Sequence, residues 1–491
     1  MVKPTLEEVQ KIQAIQKYHR IPLLMELYAD TITPIMALKK LKHVSRHCFM
    51  LESAEASKQW GRYTFIGYDP ILEFTCTDGK VQLRTEAMAQ TIESHPAEII
   101  RQIMKENAAP VIEGYPPFSG GLVGYFSYDY IKYAEPSLKL DAIDEEGFKD
   151  VDLMLFDKLI VFDNYKQKIN LIVNIRTEEL EKNYNKGLLT LNQMASILNK
   201  GEIAETPVFR LKSDIKQLFD RDSYSDMVRK AKQYIYEGDI FQVVLSNRLE
   251  AEIEGSLLDV YRALRTMNPS PYMFYFSSDD VEIAGASPET LVKLENQKLY
   301  TFPLAGTKPR GETVAEDQKN EFDLLHDEKE IAEHNMLVDL GRNDIGKISK
   351  IGSVEVEKYM SVEKFSHVMH IGSTVTGQIA DSKDALDAID SILPAGTLSG
   401  APKLRACEII NELENNKRGI YGGAVGYIDF GGNLDTCIAI RLAFAKNGKV
   451  FVRSGAGIVA DSVPENEYQE CINKAKAMTV SLKLAEGGID I

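Results

Sequence analysis

The stretch Val151-Asp152-Leu153-Met154-Leu155-Phe156-Asp157-Lys158-Leu159-Ile160-Val161-Phe162-Asp163-Asn164-Tyr165-Lys166-Gln167-Lys168-Ile169-Asn170-Leu171-Ile172-Val173 carries two β-rich runs around the polar tetrapeptide Asp163-Asn164-Tyr165-Lys166. Apolar β-formers on both sides of a short turn predict a hairpin, and so short a connection joins only antiparallel strands. Further strand-like runs lie at 49–52, 63–68, 72–77 and 239–246. Helical patterns lie at 5–30, about 176–200, from 222 to Gly238, about 315–340, 382–392, 402–415 and 464–483. The helix after 222 has Asp222 or Ser223 as its cap and Tyr224, Met227, Val228, Ala231 and Ile235 as its apolar stripe. Strands and helices do not alternate as βαβ units, which predicts an α+β fold with large antiparallel β-sheets flanked by helices. A polar, poorly periodic stretch near 200–220 divides the chain into an N-terminal domain, 1–205, and a second domain, 206–491. One internal echo, Gly120-Gly121-Leu122-Val123-Gly124-Tyr125 against Gly422-Gly423-Ala424-Val425-Gly426-Tyr427, reads as two strands whose glycines allow close packing.

The bulk properties narrow the function classes. Lys and Arg number 57 against 73 Asp and Glu, a net charge of 57 − 73 = −16, which argues against nucleic acid as a partner. A local pocket can still oppose that sign and hold a small anion. The five cysteines show neither CxxC nor zinc spacing, which fits reduced core thiols. The charged start Met1-Val2-Lys3-Pro4-Thr5-Leu6-Glu7-Glu8 lacks a signal-peptide core, and no apolar run is long enough for a membrane span. A cytoplasmic enzyme or binding protein is expected, with no membrane partner.

The chemistry concentrates in the second half. Arg453-Ser454-Gly455-Ala456-Gly457-Ile458-Val459-Ala460-Asp461-Ser462 is a glycine-rich turn that lets backbone N–H groups approach an anion, and Glu467 and Glu470 follow it at helical spacing. Glu330 and Glu333 repeat that spacing. Glu330 and Glu333 alone read first as a solvated acidic face, and Glu467 and Glu470 alone read as readily so. Two pairs beside an anion cradle point to a hard divalent ion bridging protein carboxylates to an anionic substrate, and Mg²⁺ suits this best. Lys474, four residues after Glu470, can pair with it or reach a substrate carboxylate. Two more glycine turns, 303–310 and 394–403, lack the P-loop order and alone read as structural turns. Ser366-His367-Val368-Met369-His370 offers two histidines as ligands, a base or structural residues, and Glu289 after Ser287-Pro288 is a candidate acid if partly buried.

Taken in order, Ser287-Pro288-Glu289, Gly306-Thr307-Lys308-Pro309-Arg310, Glu330-x-x-Glu333-His334 with Leu340-Gly341-Arg342-Asn343-Asp344, His367-Val368-Met369-His370, Pro394-Ala395-Gly396-Thr397-Leu398-Ser399-Gly400-Ala401-Pro402-Lys403, Tyr421-Gly422-Gly423-Ala424-Val425-Gly426-Tyr427, Ile440-Arg441-Leu442-Ala443 and Glu465-Asn466-Glu467-Tyr468-Gln469-Glu470 form a pattern. It resembles the chorismate-utilising enzymes, and among them the large (component I, aminase) subunits of anthranilate synthases. The resemblance implies Mg²⁺ at Glu333 and Glu470, with Glu330 and Glu467 close by. It implies chorismate held by Arg441, Tyr421, the N–H groups of Gly455, Ala456 and Gly457, the turn at Gly306 and Thr307, and Lys474. Glu289, His370 and Thr397 are implied as catalytic residues, Glu289 as the group that protonates the departing C4 hydroxyl.

Two positions separate the chain from its cousins. Para-isomer enzymes resemble Pro-Ile-Lys-Gly-Thr at the first turn, where this chain has Ala305, and water-adding relatives carry a lysine base where it has Gln242. Neither alanine nor glutamine can do that work, which implies ammonia as nucleophile and an ortho product. Met50-Leu51-Glu52-Ser53 and Asn268-Pro269-Ser270-Pro271-Tyr272-Met273 resemble the family's tryptophan feedback site, with Ser53, Pro271, Tyr272 and Met273 as inhibitor contacts. No cysteine sits in a glycine-flanked nucleophile turn, so glutamine use implies a separate glutamine amidotransferase subunit.

Overall fold

A computed structural model describes residues 2–53, 61–205, 207–364 and 368–489. The predicted hairpin is present: Lys158–Asp163 and Lys168–Arg176 pair antiparallel, Asp163 opposite Lys168. Leu159 and Val161 belong to one apolar cluster and Ile160 and Phe162 to another. Phe274 and Phe276 separate from Met273 and Tyr275 in the same way. Strands with apolar residues on both faces are strands covered on both sides, and that sets the layer order.

Every pairing between named strands is antiparallel. The first sheet runs Val2–Lys3, Arg20–Tyr28, Lys168–Arg176, Lys158–Asp163, Tyr63–Tyr68, Cys48–Glu52, Tyr272–Ser277, Glu282–Ser287, Leu442–Lys446, Lys449–Ile458, Gln242–Glu254 and Arg210–Leu211. The second runs Leu304–Pro309, Val368–Gln378, Lys298–Thr301, Thr290–Glu295, Leu434–Ile438, Ala424–Asp429, Gly121–Phe126, Val151–Phe156, Leu72–Thr77, Lys80–Arg84 and Ala89–Glu93. Each sheet draws strands from both sides of residue 205. The largest cluster, with Phe49, Phe74, Phe118, Tyr125, Phe156 and Phe274, takes residues from both sheets. A second packs the other face of the first sheet against helices, with Leu38, Leu191, Leu264 and Met478. The α+β class and its large antiparallel sheets are therefore observed. Among the described residues, no helix is long and apolar enough to cross a membrane.

Several expected boundaries move. The helix expected over 5–30 is the helix Leu6–Ile15 followed by the strand Arg20–Tyr28. Pro22 cannot sit inside a helix, and here its missing N–H falls where the strand has a partner on one side. The pattern at 315–340 is two helices, Val314–Leu325 and Glu328–Gly346, divided where the Asp327 side chain accepts from the N–H groups of Lys329 and Glu330. Asp220, rather than Asp222 or Ser223, caps Arg221–Glu237, and Gly238 ends it at φ 86°. The two echoing glycine segments are neighbours: Gly124 of Gly121–Phe126 stands opposite Gly426 of Ala424–Asp429.

Candidate active site

The Asp327 cap starts the helix Glu328–Gly346 so that Lys329, Glu330 and Glu333 face one cavity of about 930 Å³. The helix Pro464–Ala485 begins after the turn Val459–Ser462 and presents Glu467, Glu470 and Lys474 to the same space. Burial pushes the Glu333 carboxyl above its ordinary range, the charge of Glu330 adds to this, Lys329 and Lys474 oppose it, and Glu470 adds a smaller push. Burial and Glu470 likewise raise Glu467, against a hydrogen bond from Ser462. The two pairs therefore feel each other across the cavity. Lys474 Nζ lies 2.7 Å from Glu470 Oε1 and donates to the Gly455 carbonyl at 3.1 Å. Four carboxylates against two ammonium groups leave an excess of negative charge.

No three of these carboxylates converge within 4.8 Å; among the described residues that closeness occurs at His47, Glu73 and Asp279, where Arg84 already pairs with both acids. A Mg²⁺ that keeps most of its waters and takes one or two protein carboxylates fits the glutamates better than a fully caged ion.

The facing wall carries the remaining candidates. Strand Glu282–Ser287 ends at Pro288, and the Ser287 hydroxyl donates to the Ile438 carbonyl at 2.7 Å, which fixes the turn that delivers Glu289. The Thr397 hydroxyl donates to Glu289 Oε1 at 3.1 Å. Burial raises the Glu289 carboxyl to about 7, against the opposing pull of Thr397 and Lys474. Ladder pairing of Leu304–Pro309 with Val368–Gln378 slips between Ala305 and Lys308, so Gly306 and Thr307 bulge toward the cavity, Gly306 at φ +66°. A methyl group at Gly306 would lie 3.1 Å from Glu330 Oε2, which places that carboxylate over the bulge.

His370 Nδ1 lies 2.6 Å from the Gly306 carbonyl and 3.2 Å from the Thr307 hydroxyl. A carbonyl only accepts, so Nδ1 carries the proton and Nε2 the lone pair in the neutral ring. Burial lowers the His370 pKa, the hydrogen bond to the Gly306 carbonyl opposes this and the positive Arg441 adds to it, so the net effect favours the neutral ring.

Arg441 is itself left-handed, φ +52°, an unusual geometry for a bulky residue. Burial lowers the affinity of its guanidinium for its proton, and no carboxylate among the described residues lies within ion-pair distance of it. A half-buried cation that lines a cavity and has no carboxylate partner among the described residues suits a carboxylate ligand. Along Lys449–Ile458, Gly455 and Gly457 face the cavity beside Tyr421, whose hydroxyl would be 3.1 Å from a methyl at Gly455. Ala456 does not line it. Strand alternation turns its methyl into the apolar cluster behind.

Every other active-site residue named from sequence lines this one cavity, as do Gln242 and Ala305. His367 lies outside the described residues. Lys329 and Arg453 were missed. Lys329 was legible as the residue four before Glu333 on a helix face, whereas Arg453 needed the strand register.

A second cavity, of about 510 Å³, joins Ser53, Pro271, Tyr272 and Met273 to Glu52, Lys293, Tyr427 and Asp435. Tyr272 donates to Asp435 Oδ1 at 2.9 Å and is 2.9 Å from the hydroxyl of Thr290, the residue after Glu289.

Comparison with known proteins identifies the family. A family described as chorismate binding enzyme matches residues 46–480. The chain is 47% identical to anthranilate synthase component 1 of Acetivibrio thermocellus, with 99% of each chain covered. It is 44% identical to that of Aquifex aeolicus, with 98% of each covered. A solved anthranilate synthase component I from Streptococcus pneumoniae superposes with TM-score 0.77 at 38% identity, covering 92% of this chain and 99% of that one. The menaquinone-specific isochorismate synthase of Escherichia coli, at 18% identity and TM-score 0.70 over 97% and 98% of the two chains, shares the fold. The chain belongs to the chorismate-binding enzyme family, in its anthranilate synthase component I branch.

Proposed function

We propose that this chain is the aminating and pyruvate-eliminating component of an anthranilate synthase, the first step toward tryptophan, acting on chorismate with ammonia. The observation that carries this is the meeting, in one cavity, of two glutamate pairs from helices far apart in sequence with Arg441, which has no carboxylate partner among the described residues, and a proton-retaining Glu289. Glu333 and Glu470 would hold Mg²⁺, with Glu330 and Glu467 beside it. Bound there, the ion would draw electron density from the ring through its carboxylate.

The chain's own groups do the rest. Arg441 and the N–H groups around Gly455 and Gly457 hold the second carboxylate, and Tyr421 and Lys474 border it. Glu289, protonated near neutral pH, gives its proton to the C4 hydroxyl as that group leaves and ammonia adds at C2. Aromatisation then removes the C2 proton and breaks the ring carbon–oxygen bond to the enolpyruvyl group. The neutral His370, oriented by Gly306 and Thr307, is the base best placed by its tautomer. Ala305 offers no nucleophile and Gln242 no base for water, which favours ammonia and the ortho product.

The second cavity is proposed to take tryptophan, with Pro271, Tyr272 and Met273 against the ring and Ser53 toward the polar end, and so to carry feedback inhibition. Glutamine use would need a separate amidotransferase subunit, and five buried free thiols suit the cytoplasm. The test is product fluorescence from the purified chain with chorismate, ammonium and Mg²⁺. Anthranilate should form with ammonium but not with glutamine, and Glu470→Ala should lose turnover while keeping its fold. Unchanged turnover in that variant would remove the metal role.

A further inference from the structure

Arg418 lies behind the cavity, and four of the five N–H groups of its guanidinium are committed. Nε donates to Glu414 Oε2 at 3.0 Å, and Nη2 to Glu414 Oε1 at 2.5 Å and the Val244 carbonyl at 2.7 Å. Nη1 donates to the Leu398 carbonyl at 2.6 Å. The side chain is 1% exposed, and its guanidinium carbon lies 4.6 Å from the Tyr128 ring centre and 5.8 Å from that of Tyr421. Glu414 is held in turn by the Ser246 N–H at 2.7 Å and hydroxyl at 3.0 Å.

The two carbonyls belong to different walls. Val244 sits on Gln242–Glu254 and lines the cavity, whereas Leu398 follows Thr397 in the single 3₁₀ turn Gly396–Leu398. One such turn has little strength of its own. The segment just after the turn is tied to the strand by the Val244 N–H to the Ser399 carbonyl at 2.9 Å, the Phe241 N–H to the Ala401 carbonyl at 2.7 Å and the pairing of Gly400–Ala401 with Gln242–Val243, whereas Arg418 holds the carbonyl of the turn itself, at Leu398. We infer that Arg418 is a positioning residue: by gripping the Leu398 and Val244 carbonyls together, it holds the Thr397 hydroxyl against Glu289 and so orients the acid without touching substrate. A planar fork spreads four donors from three nitrogens over two carbonyls and both oxygens of a carboxylate, whereas an ammonium has three donors on one atom. The inference rests on the reading of Glu289 as the acid.

The experiment measures kcat and KM for chorismate in the full chain for Glu289→Gln, Thr397→Val, Arg418→Met and the double variant Thr397→Val/Arg418→Met, with circular dichroism and thermal melts. Arg418→Met should lower kcat on the order of tenfold, from lost orientation, with a much smaller change in KM. The double variant should be no worse than the poorer single one, because both changes break the same link.

Breaking a buried pair is strongly destabilising. Glu414 also pairs with the buried Arg453 at 3.4 Å and is therefore kept; if Arg418→Met does not fold, Arg418→Gln, which retains a donor for Glu414, replaces it. Arg418→Lys should recover melting temperature relative to Arg418→Met, through the ion pair, but not kcat. Losses of kcat that multiply in the double variant, or a parental kcat in a folded Arg418→Met or Arg418→Lys, overturn the inference while leaving the acid assignment standing. Parental turnover in Glu289→Gln overturns the acid assignment and the inference with it.

Discussion

At Glu289 burial favours the neutral acid, while the Thr397 hydroxyl and the Lys474 ammonium favour the carboxylate. Burial wins and the group titrates at about 7 instead of near its ordinary 4.5. A general acid must hold its proton, so kcat should fall as pH rises through 7, and Glu289→Gln should cost on the order of 10²–10⁴-fold in kcat. Stability follows the same sign. A folded-state pKa above the unfolded one gives stability that is full below about 4.5 and lost as pH rises through about 7. Asp129, Asp390 and Asp429, each raised to about 6 by burial, act in the same direction. His334 and His370, whose affinity for a proton burial lowers, act in the opposite direction, so the readout is the difference between proteins: from pH 5 to 8 the melting temperature of Glu289→Gln should fall less, or rise more, with pH than that of the parent. An equal change in the two proteins would remove Glu289 from that balance. The sequence made Glu289 a candidate through Ser287-Pro288, but the partner that offsets part of its burial, Thr397, is 108 positions away and becomes visible as such only once the sheets are folded.

Glycines show what an element contributes and how far it could be read in advance. A methyl group at Gly457 would meet Gln242 Nε2 at 2.9 Å, the far end of a flexible side chain, on the cavity side of Lys449–Ile458. Gly457→Ala should therefore fold with nearly parental melting temperature and lose kcat/KM for chorismate, because the cradle narrows where the carboxylate must approach the backbone. At Gly124 a methyl would lie 2.0 Å from the Asp152 carbonyl oxygen, inside the ladder between Gly121–Phe126 and Val151–Phe156. Gly124→Ala has no side chain to push aside and should destabilise by about 1–3 kcal/mol or more, read as a lower urea midpoint. The glycine echo carried this demand in the one-dimensional string, since both segments read as closely packed strands. Their pairing, Gly124 opposite Gly426, was not readable, because residues so far apart are joined by sheet topology alone. The missed break in the 5–30 helix has the opposite character: Pro22 announced it locally, and the apolar periodicity concealed it.

Across the whole molecule, the sheets place two cavities within reach of one short link. Tyr272 lines the smaller cavity and hydrogen-bonds Thr290, whose neighbour Glu289 lines the larger. Asp435, facing Tyr272, keeps its proton more tightly than usual because burial outweighs the help of Lys293 and of the Tyr272 hydroxyl. A ligand that moves Tyr272 has a direct route to the turn carrying Glu289, provided the turn has two arrangements that the ligand distinguishes. Thermodynamic linkage turns this into a measurement. If tryptophan in the smaller cavity weakens chorismate binding by some factor, chorismate must weaken tryptophan binding by the same factor. Calorimetric titration of tryptophan, with and without saturating chorismate and with ammonium and Mg²⁺ withheld so that no turnover occurs, should give a higher tryptophan Kd when chorismate is present. Tyr272→Phe, which keeps the ring and removes the hydroxyl that joins Asp435 to Thr290, should still bind tryptophan but show a smaller factor. Equal tryptophan Kd values in the parent with and without chorismate would mean that the cavities share a sheet and exchange no binding energy, and that any inhibition acts on the chemical step alone.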